Sequence, residues 1–245
     1  MTPLRIAYRL MLILVVSGIG VLEFCVLWIQ GRARDAAVRA RWQNRISRRY
    51  LAAVNVRVEV AGTPPTDGLL VCNHLSYLDI LVIGATVPAT FVSKHEVRNW
   101  PIFGMLARMG GTLFLRREMK SHALEVSREF NRIVEGGAVL GFFPEGTSSD
   151  GTDVLPFHST LFQPAVENGW RVVPAWIGYS LPDGGSVRDD VCFIGDALFA
   201  PHMIRLLSHR RVNAVLRFGE PATKDLNRKE MARVLRESVV GLGSR

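Results

Sequence analysis

At 245 residues the chain is one domain, or one domain with an appendage, and a 48% hydrophobic composition suffices for a sizeable core. The formal net charge of +8 points to an acidic partner. However, Arg32, Arg34, Arg39, Arg41, Arg45, Arg48 and Arg49 face a single acid, Asp35, between Gly31 and Tyr50, so the rest is near neutral and no nucleic-acid groove is spread over the fold. Cys25, Cys72 and Cys192 form no CxxC pair and no metal-ligand spacing with histidine, which excludes a disulfide scaffold and fits a reducing compartment.

In chain order, the first predicted element is an apolar helix over residues 10–29. Twenty helical residues cover about 30 Å, a bilayer's hydrocarbon core. No cleavage site precedes Gly31, so a signal peptide is disfavoured. Seven arginines follow this run and only Arg5 and Arg9 precede it, which places the C-terminal domain in the cytoplasm, at the inner membrane. Glu23 is costly inside a span, by about 2–3 kcal/mol. It sits protonated or near the interface, or the helix enters one leaflet only.

A basic amphipathic helix is predicted over 32–53. Val38, Trp42, Ile46 and Tyr50 recur every four residues with arginines between them. Such a stripe suits a helix on an anionic lipid surface; it equally suits a helix packed on its own domain. Residues 1–53 thus read as a membrane-anchoring segment and 54–245 as the main domain.

That domain opens with Val54, Val56, Val58 and Val60 in strand alternation. Strand-like runs follow near 69–72, 90–93, 112–115, 138–143, 171–178, 191–195 and 212–218. Helical patterns lie near 76–86, 101–109, 121–135, 158–168, 201–208 and 227–240. Pro101 suits a first helical turn, and Gly110-Gly111 and Gly136-Gly137 suit helix ends. The alternation predicts an α/β domain around a mixed sheet flanked by helices.

Reactive groups gather where strands end. His74 and Asp79 follow the 69–72 run and can act as a base with its orienting carboxylate: one ring nitrogen accepts a hydroxyl proton while the other donates to the acid. Ser76 to Asp79 is also a capping-box pattern, which gives Asp79 a purely structural role. Glu145 ends the 138–143 run ahead of Gly146 and Thr147, as a placed carboxylate or as part of a turn. Arg116 and Arg117 follow 112–115 and suit phosphate or carboxylate binding, or solvated strand-end charges. Cys72 reads better as a small buried residue than as a nucleophile. His122, His158, His202 and His209 are scattered and read as structural or exposed. No GxSxG, Walker A, GxGxxG or HExxH occurs.

The order of these blocks resembles the glycerolipid acyltransferases, the family of bacterial 1-acyl-glycerol-3-phosphate acyltransferases: Asn73-His74-x-Ser76-x-x-Asp79, Gly111-x-x-Phe114-x-x-Arg117, Phe143-Pro144-Glu145-Gly146-Thr147 and Val172-Val173-Pro174. The resemblance covers roughly residues 69–180. It implies transfer of a fatty acyl group from an acyl-carrier-protein or coenzyme A thioester to a lysolipid hydroxyl at a membrane. No metal or redox cofactor is implied. His74 would be the general base and Asp79 its partner. Arg117, Glu145, Gly146 and Thr147 would shape the acceptor site, with Arg116 and Lys94 in supporting roles. Phosphatidate-forming members usually carry arginine after Glu-Gly-Thr; Ser148 stands there here. The run from Glu145 to Gly151 looks more like the branch that acylates lyso-ornithine lipid. A non-catalytic lipid-binding protein and a thioester hydrolase are the competing readings.

Overall fold

The computed structural model describes residues 2–115, 123–222 and 225–244. Its centre is a sheet of seven strands: β1 (Val56–Ala61), β2 (Leu69–Cys72), β3 (Ala89–Lys94), β4 (Leu113–Leu115), β5 (Val139–Phe142), β6 (Val172–Ser180) and β7 (Val212–Phe218), in spatial order β1-β7-β6-β2-β5-β3-β4. β6, β2, β5, β3 and β4 run parallel, and β7 and β1 run the other way, since β7 meets β6 antiparallel. The sheet is mixed, as the alternation predicts.

The strands read as continuous apolar runs because both faces are covered. Leu69 and Val71 point to one side and Leu70 and Cys72 to the other, and each of the four is at most 1% exposed. On one face lie α5 (Ala123–Glu135), α6 (Gln163–Asn168) and α9 (Arg228–Gly243), supplying Phe130, Ala165 and Leu235. On the other lie α1 (Thr2–Ile29), α2 (Ala36–Val54), α3 (Leu78–Thr86), α4 (Phe103–Gly110) and α8 (Phe199–Ser208), supplying Ile13, Trp42, Val82, Leu106 and Leu207. A single turn, α7 (Val187–Asp190), precedes α8.

Two expectations change, and one open alternative is resolved. The first helix begins at Thr2 rather than residue 10. Arg5 and Arg9 read in sequence as a polar flank, but both turn onto the C-terminal end of α8: Arg9 donates to the carbonyls of Leu207 and Arg210 at 3.0 and 2.8 Å, and Arg5 to that of Ser208. Cations there satisfy carbonyls that a helix end leaves unpaired.

The stripe of α2 faces the protein. Val38, Trp42, Ile46 and Tyr50 are 1–6% exposed, and the last three join one apolar cluster with α1 and the sheet. The start of α2 is set at Asp35, whose carboxylate accepts from the Val38 amide at 2.9 Å. Several of its cations have internal tasks. Arg39 caps the end of α4 through the Met109 carbonyl at 2.7 Å, and Arg48 donates to Ala85 at the end of α3 at 2.9 Å. Glu23, awkward in a lone span, pairs with Arg49 at 2.6 Å and Arg45 at 3.5 Å.

Residues 191–195 form no strand. Val191 and Cys192 are buried, but the segment gives the sheet nothing; the Phe193 amide instead donates to the Leu75 carbonyl at 2.8 Å. An apolar run this short cannot be told from a buried loop by pattern alone.

Candidate active site

The parallel strands β2, β5, β3 and β4 deliver their C-terminal ends to one sheet edge. His74 leaves β2 there, Glu145 leaves β5, and Lys94 closes β3 opposite Leu115 of β4. Arg116 and Arg117 follow β4 directly, and they lie outside the described residues, as does His122.

The β2 loop is fixed first by Asn73. Its side-chain amide accepts from the Ile177 amide at 2.8 Å and donates to the Ile177 carbonyl at 2.9 Å. A side chain thereby extends the β2–β6 ladder by one step. The next residue is gripped by the β5 loop on both sides: the His74 amide donates to Glu145 Oε1 at 3.1 Å, and the His74 carbonyl accepts from the Ser149 amide at 2.8 Å. Gly146, at φ +69°, allows that loop to turn; a Cβ there would stand 3.1 Å from the His158 ring and adopt a backbone region unfavourable to side chains.

His74 and Asp79 are brought together. His74 Nδ1 lies 2.8 Å from Asp79 Oδ2, and the same oxygen accepts from the amides of Leu75 (2.7 Å) and Ser76 (3.0 Å). The two roles weighed for Asp79 are therefore both filled: it reaches back to the amides that open α3 and it orients the imidazole. The Ser76 hydroxyl makes no reciprocal bond; it is a buried hydroxyl without a partner among the described residues. Asp79 Oδ1 accepts from Tyr179 Oη at 2.7 Å. With Nδ1–H donating to the carboxylate, His74 Nε2 carries the lone pair. The imidazole side chain is 20% exposed while Asp79 is fully buried, so the ring meets incoming molecules and its partner does not. Phe143 stacks on it at 4.0 Å between centroids and 14° between planes.

Glu145 is 3% exposed, and burial pushes its carboxyl up to about 7, partly offset by the His74 and Leu155 amides. Gly146 and Thr147 are exposed at the mouth, and the Ser148 hydroxyl donates to the Phe193 carbonyl. Burial holds the Cys72 thiol well above its ordinary value, which suits an inert core residue. His202 is buried between the Tyr77 hydroxyl (3.0 Å) and the Cys192 carbonyl (3.1 Å), and His209 sits between Asp183 and Asp190, both structural placements. Among the described residues no group of His, Cys, Asp and Glu could hold a metal ion.

The family model described as Acyltransferase matches residues 55–178, half of the chain. A lyso-ornithine lipid O-acyltransferase from Pseudomonas aeruginosa is 38% identical over 196 residues, covering 78% of this chain and 74% of that protein. The chain belongs to the acyltransferase family.

A 1-acyl-sn-glycerol-3-phosphate acyltransferase from Neisseria meningitidis is 34% identical over 137 residues, 55% of this acyltransferase and 54% of the other. The crystal structure of the 1-acyl-sn-glycerophosphate (LPA) acyltransferase PlsC from Thermotoga maritima superposes with a TM-score of 0.71 at 21% identity, over 99% of this chain and 95% of that one, which establishes the shared α/β fold. Sequence reading of the acyltransferase missed Tyr179 as part of the site and quoted Phe143 only within its motif, with no role. Tyr179 had a usable signal: Val173, Ala175, Ile177 and Tyr179 alternate along β6 on the face that also carries Cys72.

Proposed function

We propose that this acyltransferase moves a fatty acyl group from an acyl-carrier-protein or coenzyme A thioester to the free hydroxyl of a lysolipid, with His74 as general base. The observation that carries the reading is the single oxygen of Asp79 shared by His74 Nδ1 and two backbone amides, which leaves the lone pair on Nε2 of a ring that is 20% exposed. Nε2 takes the hydroxyl proton as the oxygen attacks the thioester carbonyl carbon. The carbon–sulfur bond then breaks, and the departing thiolate recovers the proton from the imidazolium. Asp79 offsets the charge in between. A thioester is already activated, so a base with positioning suffices, and no metal or redox cofactor enters the scheme. Glu145 serves by fixing the His74 backbone, and Gly146 and Thr147 border the acceptor. Arg116, Arg117 and Lys94 remain proposed contacts for the acceptor head group. A non-catalytic lipid binder would have no use for an oriented imidazole, and a hydrolase would release product without a lysolipid.

Lyso-ornithine lipid is the acceptor we favour. Ser148 replaces a cation that could hold phosphate, and its hydroxyl is turned inward to Phe193. Asp150 lies nearby, held below the usual carboxylate range by hydrogen bonds from Thr152, with the Arg188 guanidinium 3.8 Å away. An acid beside an arginine suits an ammonium with a carboxylate better than a phosphate dianion. Purified enzyme offered lysophosphatidate and lyso-ornithine lipid in parallel is expected to prefer the latter, and Ser148→Arg to shift use toward the former. Sole use of lysophosphatidate by the unaltered enzyme would overturn the assignment.

The site is proposed to work at the inner membrane, facing the cytoplasm. α1 carries a second apolar stripe, Leu4, Tyr8, Met11, Val15, Ile19, Leu22, Val26 and Ile29, each 39–77% exposed and spaced by three or four residues. It runs the length of a helix about 42 Å long. So large an apolar surface calls for a lipid or protein cover. The inner face is tied to the domain by Arg9, by Trp42 Nε1 donating to the Gly20 carbonyl at 3.1 Å, and by Glu23. A helix bound along its length fits one leaflet, lying flat, better than a crossing. Val15→Asp combined with Leu22→Asp costs about 3 kcal/mol per site in hydrocarbon, and should move most of the protein from the membrane pellet to the supernatant. Unchanged sedimentation would exclude this face.

A further inference from the structure

Among the described residues, Tyr179 is the one side chain bonded to Oδ1 of the carboxylate that orients His74. It reaches there from β6, whose register against β2 is fixed by the pairs Val71 with Pro174 and Cys72 with Ala175 and then by the Asn73 amide on Ile177. The hydroxyl is thus delivered by the sheet itself rather than by a mobile loop. Its ring is partly buried, and burial together with the Asp79 charge holds the phenol well above its ordinary range, so it stays a donor throughout the working pH.

The two oxygens of Asp79 have separate tasks. Oδ2 is already aimed by the Leu75 and Ser76 amides, so the carboxylate keeps its orientation without Tyr179. What a donor on Oδ1 adds is dispersal of negative charge. A carboxylate that shares its charge with a phenol attracts a neighbouring imidazolium less and lowers the affinity of that imidazole for a proton. We infer that Tyr179 is a positioning residue that acts through Asp79, tempering the pull of that carboxylate on the His74 imidazole and so setting the acid limb of the reaction. This rests on His74 being the base.

Among the described residues, the other titratable groups facing this cluster are Cys72 at the end of β2, Glu145 after β5 and Cys192 before α8. Burial keeps the Cys72 thiol well above its ordinary value and pushes Cys192 up to about 12, so both remain neutral. Glu145, at about 7, does titrate in the range of interest. It does so in parent and variant alike, so the displacement of the profile is the informative quantity, not its position.

Tyr179→Phe keeps the ring and deletes the donor. Its kcat/KM profile is expected to have an acid limb displaced upward by about one pH unit, with activity about tenfold lower below the limb and within about twofold of the parent on the alkaline plateau. Difluorotyrosine incorporated at position 179, a stronger donor of nearly the same shape, is expected to displace the limb downward, and it retains the hydroxyl should the phenylalanine variant fold poorly. A merely structural role would lower activity by one factor at every pH. That outcome, or a limb that does not move in either variant, would overturn the inference. The His74 imidazole titration, followed by NMR in histidine-labelled protein and assigned with His74→Ala, reports the same displacement without turnover. A fixed imidazole titration defeats the role of Tyr179; an absence of acyl transfer by the parent enzyme defeats the reading of His74.

Discussion

Replacing His74 with alanine is expected to lower acyl transfer by about 10²- to 10⁴-fold, the range a positioned general base contributes. The loss should fall on kcat, because the imidazole meets the acceptor hydroxyl as its proton leaves and not as the lipid settles. Folding should survive. Among the described residues the side chain makes one hydrogen bond, to Asp79 Oδ2, and that oxygen keeps the Leu75 and Ser76 amides after the substitution. The His74 backbone, held by Glu145 and Ser149, is untouched by a change beyond Cβ. Transfer of labelled acyl groups to a lysolipid by membranes carrying each protein in equal amount measures the effect. Activity within about threefold of the parent would remove His74 from the chemistry.

Asp79 should be less forgiving, and its two substitutions should part company. Asp79→Asn keeps an oxygen that can accept from Nδ1–H and the two amides but abandons the negative charge beside the imidazolium. Activity is expected to fall by about 10²-fold or more with the protein still folded. Asp79→Ala takes away the acceptor altogether. The amides of Leu75 and Ser76 and the Tyr179 hydroxyl then lose their partner in a pocket where Asp79 itself is fully buried. Each orphaned donor costs about 1–3 kcal/mol, so a stability loss of several kcal/mol should accompany the loss of activity. Urea unfolding in detergent separates the variants. Equal stability of Asp79→Ala and the parent would mean that this carboxylate does not hold the start of α3.

The strand-and-helix rhythm was legible because β2 and β5, and β6 over its first residues, are covered on both faces and so have no polar positions there to blur the pattern. The His74–Asp79 pair was legible too, because its spacing is local. What escaped the sequence depends on contacts far along the chain. The stripe of α2 looks the same whether it meets lipid or protein, and only the presence of α1 and the sheet decides that Trp42 is core. The true start of α1 was hidden because Arg5 and Arg9 find partners some 200 residues away at the end of α8. Glu23 looked misplaced until Arg45 and Arg49 came alongside. The run 191–195 has the apolar character of a strand, but its Phe193 amide bonds the loop at Leu75 instead of a strand. Tyr179 carries no motif of its own; the pairing of β6 with β2 gives it meaning. Arg116 and Arg117, the cations expected at the acceptor, lie outside the described residues, so their placement rests on the motif alone.

The grip of Ser149 on His74 spans 75 residues, and that of Tyr179 on Asp79 spans 100. A nascent polypeptide that has just released its first histidine loop from the ribosome has the local Asp79 bond but lacks the tethers from Glu145, Ser149, Ile177 and Tyr179. Until the later strands emerge and dock, a half-made chain holds its histidine loop without the grip of β5 and β6. The order of synthesis thus sets when the site is complete.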